Sequence, residues 1–274
     1  MLTDAHCHPY DLAQVFSESE AERNRLGVLA AASACTLEEF LHNETLPNVL
    51  PCFGIHPQML KVNMQIPSHS PAAKLPAGTE TQSTQRLIKE NIETLIKLAR
   101  EKRIAAIGEC GFDLFNEFKA TETEQEEIFA VHLETAIKHD LPVVLHVRRA
   151  LHKIFAVSKT LKKCKAVAFH SWNGTYEEAL SLLNNGINAY FSFGNIIMLN
   201  HKKAIKSCAL LPLERILTET DAPYQMRREE KFSRWTDLPL ILETAAALRT
   251  QAGNKTDVKE LESKIEINFR KVFY

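Results

Sequence analysis

Short apolar runs and longer amphipathic stretches alternate along nearly the whole chain. The apolar runs fall at 26–32, 48–56, 104–111, 143–147, 166–170, 187–193 and 215–221, and residues 1–8 add an eighth candidate strand at the start. Runs of this length, rich in Val, Ile, Leu and Ala, read as strands covered on both faces. Between them, residues 85–102 carry apolar side chains at 87, 88, 92, 95, 96, 98 and 99, close to the 3.6-residue period of an amphipathic helix. Helical spacing also predicts helices near 123–139, 151–162, 175–184 and 201–210. A shorter helix at 36–42 has Thr36 as N-cap and Glu39 three positions on. Two further helices, near 237–250 and 257–271, follow the last strand. Two stretches break the alternation. Residues 16–25 are polar and acidic, and residues 62–78, with Pro67, Pro71 and Pro76, read as a long loop.

Strands alternating with helices imply a parallel sheet joined by right-handed crossovers. An open doubly wound sheet and a closed barrel both satisfy that pattern. The polar residues separate them: His6, His8, His56, Glu109, His146, His170 and Asp221 all fall at the C-terminal ends of predicted strands. A barrel gathers those ends into one ring, whereas an open sheet spreads them along its upper edge. The prediction is a single α/β domain over 1–274, a (β/α)8 TIM-like barrel with extra C-terminal helices. No repeat, linker or change of composition marks a second domain.

Composition narrows the function classes. The 33 Lys and Arg against 34 Asp and Glu leave a formal net charge of −1, so no global basic field advertises a polyanion, and any such binding is local or metal-assisted. The six cysteines lie at 7, 35, 52, 110, 164 and 208, with no C-x-x-C pair, which argues against a zinc ribbon or a disulfide scaffold. No basic stretch followed by an apolar run opens the chain, and no apolar run approaches bilayer-spanning length. A cytoplasmic protein without a membrane partner or an obligate protein partner is expected.

The chemistry starts at Asp4-Ala5-His6-Cys7-His8. In an extended strand, His6 and His8 share one face and Cys7 takes the other, so two imidazoles converge on one point. Unpaired polar groups at the ends of apolar runs are costly, and a metal site offsets that cost. Six ligands, His6, His8, Glu109, His146, His170 and Asp221, exceed what one catalytic zinc takes and point to two divalent cations. Glu109 is the natural bridge. His6, His8 and Asp221 are assigned to one cation and His146 and His170 to the other; the mixed donor set suits Zn, Mn, Co, Ni or Mg. Such a pair suits in-line hydrolysis of a phosphate ester, with Asp221 as proton acceptor or as ligand only. His56 and Arg148 are candidates to hold a phosphate oxygen or to anchor a loop. Glu219, two residues before Asp221, is a candidate to orient a ligand histidine. Arg227, Arg228, Lys231 and Arg234, with Phe232 and Trp235 interleaved, form either a nucleic-acid contact or a solvated loop. His42, His69, His132, His139, His152 and His201 receive no functional role.

The ordered set of motifs resembles the TatD family of metal-dependent hydrolases. It comprises Asp4-Ala5-His6-Cys7-His8, Gly54-Ile55-His56-Pro57, Gly108-Glu109-Cys110-Gly111-Phe112-Asp113, Leu145-His146-Val147-Arg148, Phe169-His170-Ser171-Trp172-Asn173-Gly174 and Glu219-Thr220-Asp221-Ala222-Pro223. The resemblance implies a barrel of the amidohydrolase superfamily and a two-metal centre at these positions, usually Mg2+-dependent. It also implies a deoxyribonuclease, often a 3′ to 5′ exonuclease, with single-stranded DNA or 3′ ends as substrate. The chain departs from the family pattern at Arg149, commonly acidic there, at Ser171-Trp172-Asn173, and in a longer 62–78 segment. Two alternatives stand beside this reading. One is a hydrolase of a small cyclic amide, lactone or phosphoester; the other is an idle barrel serving as a scaffold.

Overall fold

Eight parallel strands pair in strict sequence order, β1 to β8. The computed structural model describes residues 1–60 and 80–274, the side chains of 80–85 excepted, and the predicted 62–78 loop lies outside the described residues. In chain order, β1 (Thr3–Cys7) leads to α1 (Pro9–Val15) and α2 (Ser19–Leu26), β2 (Leu29–Ala34) to α3 (Leu37–Glu44), and β3 (Val49–Phe53) to α4 (Glu80–Arg100). Next come β4 (Ala106–Asp113) with α5 (Glu122–His139), β5 (Val143–Arg148) with α6 (Leu151–Ala156) and α7 (Ser158–Leu161), and β6 (Val167–Phe169) with α8 (Tyr176–Asn184). The barrel ends with β7 (Ala189–Phe193), α9 (Lys202–Leu210) and β8 (Ile216–Thr218), followed by α10 (Asp237–Gln251) and α11 (Val258–Phe273). The last strand returns to the first through Thr218 Oγ1 donating to the Thr3 carbonyl at 3.1 Å and Asp221 N donating to the His6 carbonyl at 2.9 Å. The result is a nearly closed (β/α)8 barrel with the predicted extra C-terminal helices.

Side-chain size explains how the barrel fills. One buried set, with Ala5, Ala31, Ala106, Val144, Ala168 and Leu217, draws on strands all round the sheet and packs with Phe269, Val272 and Phe273 of α11. Small strand residues leave room for the large α11 side chains, each worth about 1.5–3 kcal/mol when buried. A second set joins Phe53, Ile107, Leu145, Phe169 and Phe191 of the strands to Phe40, Leu95, Phe129 and Leu182 of the surrounding helices. The expected Thr36/Glu39 capping box is present at the start of α3. The other helix beginnings vary, and the predicted 151–162 helix is broken at Val157 into α6 and α7.

Most of the polar 16–25 stretch, to which the sequence pattern assigned no element, folds as helix α2 from Ser19 onward. Pro9 occupies the first turn of α1, and α2 stops at Gly27, whose φ of 65° makes a left-handed C-cap. Helix α2 is polar nearly all round. It is held by the buried Arg23, which pairs with Glu20 at 2.8 Å and lies 6.0 Å from the Trp235 ring. Several predicted strands also run short. β8 pairs only through Thr218 before the chain turns at Asp221 (φ 54°), and β3 ends at Phe53, three residues before His56.

Candidate metal centre

Two irregularities in the ladder carry the polar residues into the barrel mouth. The β1–β2 register shifts between Asp4 and Cys7, around His6, and the β4–β5 register shifts between Ile107 and Cys110, around Glu109. A bulge re-aims one side chain without breaking the sheet. Gly111, at φ 129°, allows β4 to lie close to β5, since a Cβ there would run into the His146 carbonyl.

All six expected ligand candidates converge on this point. His6 Nε2 and His8 Nε2 lie 3.2 Å apart, and His6 Nε2 is 3.2 Å from Glu109 Oε2 and 3.4 Å from Asp221 Oδ1. The other oxygen of the same carboxylate faces the opposite side. Glu109 Oε1 lies 2.7 Å from His146 Nδ1, 3.2 Å from His170 Nε2 and 3.2 Å from His56 Nε2. Three triads have donor atoms mutually within 4.8 Å: His6, Glu109 and His170; His6, His8 and Asp221; and His56, Glu109 and His146. His146 and His170, assigned together from the sequence, fall in different triads, with ring centres 5.7 Å apart. His170 also approaches His6, because Glu109 sits at the centre and not to one side.

The outer contacts of the rings decide which nitrogen carries a lone pair. His170 Nδ1 donates to Glu219 Oε1 at 3.2 Å, so in the neutral ring its Nε2 is free to bind a cation, whereas His6 Nδ1 meets Ser33 Oγ at 3.2 Å, a hydroxyl that can donate to it or accept from it. His56 is different. Its Nδ1 accepts from Gln58 N at 3.2 Å, which puts the proton on Nε2 and makes it a hydrogen-bond donor toward Glu109. His146 Nε2 faces Asp113 Oδ2 at 3.4 Å, and Gln58 Nε2 donates to that same oxygen at 2.7 Å.

Electrostatics follow from this crowding. Burial pushes the Glu109 carboxyl up, but His56, His170 and His6 around it outweigh burial and hold it well below the carboxylate range. Burial disfavours charge on His146 as well, yet Asp113 and Glu109 raise it to about 9. Asp221 is likewise held low against burial by His170, His6 and His8. His56 moves the other way, because its burial exceeds the pull of Glu109. Ring nitrogens and carboxylate oxygens converging on shared points form a pocket that calls for positive charge, and divalent cations fit this donor set.

Sequence reasoning assigned no role to several residues that hold the site. His132 Nε2 accepts from Ile55 N at 2.9 Å, fixing the backbone beside His56 from within α5. Asp113 and Gln58 orient His146, and Gln225 donates to Asp221 Oδ2 at 2.8 Å. A helical histidine on an apolar face gives no such signal, although Asp113 continues the Glu109 motif at even spacing. Arg148 lies half-exposed at the mouth, 3.8 Å from Asp113 and 4.0 Å from the Phe115 ring. Of the two readings of the basic loop, the one with an aromatic platform for nucleic acid finds no support in the ring placements. Trp235 is buried, Phe232 stacks on Phe16 at 5.6 Å, and Arg227 is paired with Asp237 at 3.0 Å. The centre opens into a cavity of about 600 Å3 lined on one side by Asp11, Glu39 and Tyr224 and on the other by Arg148, Ser171 and Asn173.

Comparison with known proteins agrees with this architecture. The profile of the TatD-related DNase family matches residues 3–274. A protein named 3′-5′ ssDNA/RNA exonuclease TatD, from Pantoea ananatis, is 33% identical over 205 residues, covering 72% of this chain and 76% of the relative. An uncharacterized metal-dependent hydrolase from Mycoplasma pneumoniae is 29% identical over 227 residues, covering 81% and 80%. Among solved structures, the TatD homologue YjjV from Escherichia coli superposes with a TM-score of 0.76 at 23% identity, covering 99% of this chain and 97% of that one. An uncharacterized amidohydrolase from Saccharomyces cerevisiae gives 0.73 at 15% identity, covering 99% of each chain. With a family profile spanning nearly every residue and a relative one-third identical over most of its length, the chain belongs to the TatD-related DNase family.

Proposed function

We propose that this enzyme is a two-metal phosphodiesterase that trims single-stranded DNA from its 3′ end. The observation that carries the reading is the division of Glu109, with Oε2 toward His6 and His8 and Oε1 toward His146 and His170. A carboxylate so divided suits a bridge between two cations. His6, His8 and Asp221 would hold one and His146 and His170 the other; the imidazole-rich donor set suits Zn, Mn, Co or Ni, and Mg2+ is the cation that the family resemblance implies. The nucleic-acid substrate is supported by the names of the curated relatives.

Bound cations would acidify a water and offset charge on the phosphoryl oxygens. The chain's own groups do the rest. Asp221, with Oδ1 toward His6 and Oδ2 held by Gln225, is the carboxylate that takes the proton of the attacking water. His56, with its proton on Nε2, donates to a phosphate oxygen or, before substrate arrives, to Glu109. Arg148 contributes a planar guanidinium at the mouth, suited to a non-bridging phosphate oxygen. The whole chain acts as one hydrolase unit. A cytoplasmic site of action is supported by six unpaired cysteines, and no described helix is long and apolar enough to cross a membrane.

The test is hydrolysis of end-labelled DNA oligonucleotides with Mg2+, Mn2+ or EDTA, beside Asp221→Asn. Metal-dependent trimming from the 3′ end that the mutant loses supports the reading. No cleavage by protein that holds metal by elemental analysis would overturn DNA as substrate and turn attention to small phosphoesters or cyclic amides.

A further inference from the structure

A second cavity of about 580 Å3 adjoins the metal centre on the β5–β6 side and shares Arg148, His170, Ser171 and Asn173 with it. Its size is that of a ligand pocket, which typically spans about 300–1,000 Å3. The lining beyond the shared rim includes Arg149, His152, His201 and Lys203, with Phe115 and Trp172 among its aromatic walls. This charge is local: the chain as a whole is nearly neutral.

The arginines are arranged by a backbone feature. Consecutive residues of an extended strand point to opposite faces. Arg149 instead takes φ 58°, and both guanidiniums reach the same ring, Arg148 at 4.0 Å and Arg149 at 5.8 Å from the centre of Phe115. Among the described residues, Arg149 and Lys203 have no carboxylate within ion-pair distance, and both are exposed. Glu178, the acid in the lining, is occupied in capping α8 through Thr175 N at 2.6 Å. His201 Nδ1 accepts from Ala204 N at 3.4 Å, leaving Nε2–H as a donor. The opposite rim of the metal cavity carries Asp11 and Glu39. A polyanion reaching the centre therefore meets acid on one side and free cationic groups on the other.

We propose that this groove is the track of the substrate strand: a single-stranded polynucleotide leaves the metal centre past Arg148, its next phosphates held by Arg149 and Lys203 and a base laid against the Phe115 wall. The proposal rests on the nuclease reading above and adds where the strand lies. Positive groups beside aromatic faces are the means by which single strands are held without reading sequence.

The test is fluorescence anisotropy of labelled thymidine oligonucleotides in EDTA, which needs no catalysis. The Arg149→Glu/Lys203→Glu protein is expected to bind a long oligonucleotide at least about 10-fold more weakly than wild type. Its plot of log affinity against log salt should be shallower by roughly 1–1.5, the share of two lost phosphate contacts. Lys255→Glu, at an exposed position away from the groove, is expected to bind like wild type. A second measurement uses wild type alone, whose affinity should rise from a dinucleotide to longer strands. Equal affinity and salt slope in the double variant, or affinity independent of length, would overturn the track. Hydrolysis of bis(p-nitrophenyl) phosphate by wild type, a substrate too small to need the groove, tests the phosphodiesterase reading separately. Loss of binding in the double variant beside an inert wild type would sink the chemistry and keep the groove.

Discussion

The Thr220 hydroxyl donates to Asp4 Oδ2 at 2.6 Å, and Thr220 N donates to Asp4 Oδ1 at 3.0 Å. These bonds join the segment after the last strand to the first strand, next to Asp221 on one side and two residues before His6 on the other. Asp4 also accepts from His6 N at 3.2 Å, so one buried carboxylate fixes the backbone beneath ligand candidates from both ends of the chain. Burial pushes the Asp4 carboxyl up to about 7, against the bonds from Thr220 that favour its charged form.

Thr220→Val removes the hydroxyl and leaves Asp4 Oδ2 and Ala222 N without that partner. A loss of about 1–3 kcal/mol in stability is expected from unpaired buried groups. Urea unfolding measures it; a change within a few tenths of a kcal/mol would show that closure does not depend on this bond.

Glu109→Gln keeps the shape of the side chain and removes the charge between the two groups of histidines. Hydrolysis should fall roughly 1,000-fold or more, about 4 kcal/mol in barrier, with less metal bound than in wild type by elemental analysis. Near-normal turnover in a folded variant would remove the bridging role.

Glu219 acts through His170. Glu219→Ala is expected to weaken metal affinity by roughly 10–100-fold, with Glu219→Gln, which keeps an acceptor for His170 Nδ1, in between. Chelator competition reads this order. Equal affinities in all three proteins would reduce Glu219 to a support for the Ser171 amide, which it also accepts at 2.7 Å.

His132 gives a pH dependence with a definite sign. Burial lowers its pKa from 6.5 to about 4, with the Ile128 carbonyl opposing, so the folded state binds this proton less readily than the unfolded one. Stability is complete above the unfolded value and is lost as pH falls from about 6.5 toward about 4, levelling off below. By about pH 5 the loss is on the order of 2 kcal/mol. Because other groups titrate there too, the quantity to measure is the difference between wild type and His132→Gln, whose amide oxygen still accepts from Ile55 N. A difference that does not vary with pH would contradict the assignment.

The strands were legible because each is covered on both faces and therefore nearly all apolar, so a His or Glu at its end stands out. Glu109 and His146 lie within their strands as expected. His56 and Asp221 lie beyond theirs, since hydrophobicity does not register where ladder hydrogen bonds stop. Helix α2 was missed because polar residues, not an apolar stripe, attach it to the barrel: the buried Arg23 lies over the Trp235 ring and Glu22 accepts from Thr236 N. Trp235 was misjudged for the opposite reason: an aromatic residue among charges suggests a surface, yet the ring is buried against α1 and β2 residues such as Leu12 and Ala32. The distinction between His56 and its neighbours rests on Gln58 N, a backbone contact that no spacing of side chains reveals.

Glu109 draws its histidines from β1, the segment after β3, β5 and the segment after β6, so the pocket does not exist in any half of the chain. Contacts this distant in sequence form late, after much of the loop-closure entropy has been lost. Cations would then stabilise the native barrel more than the transition state that precedes it. Their removal would shorten the lifetime of the folded protein, through faster unfolding, while its refolding rate stays nearly constant.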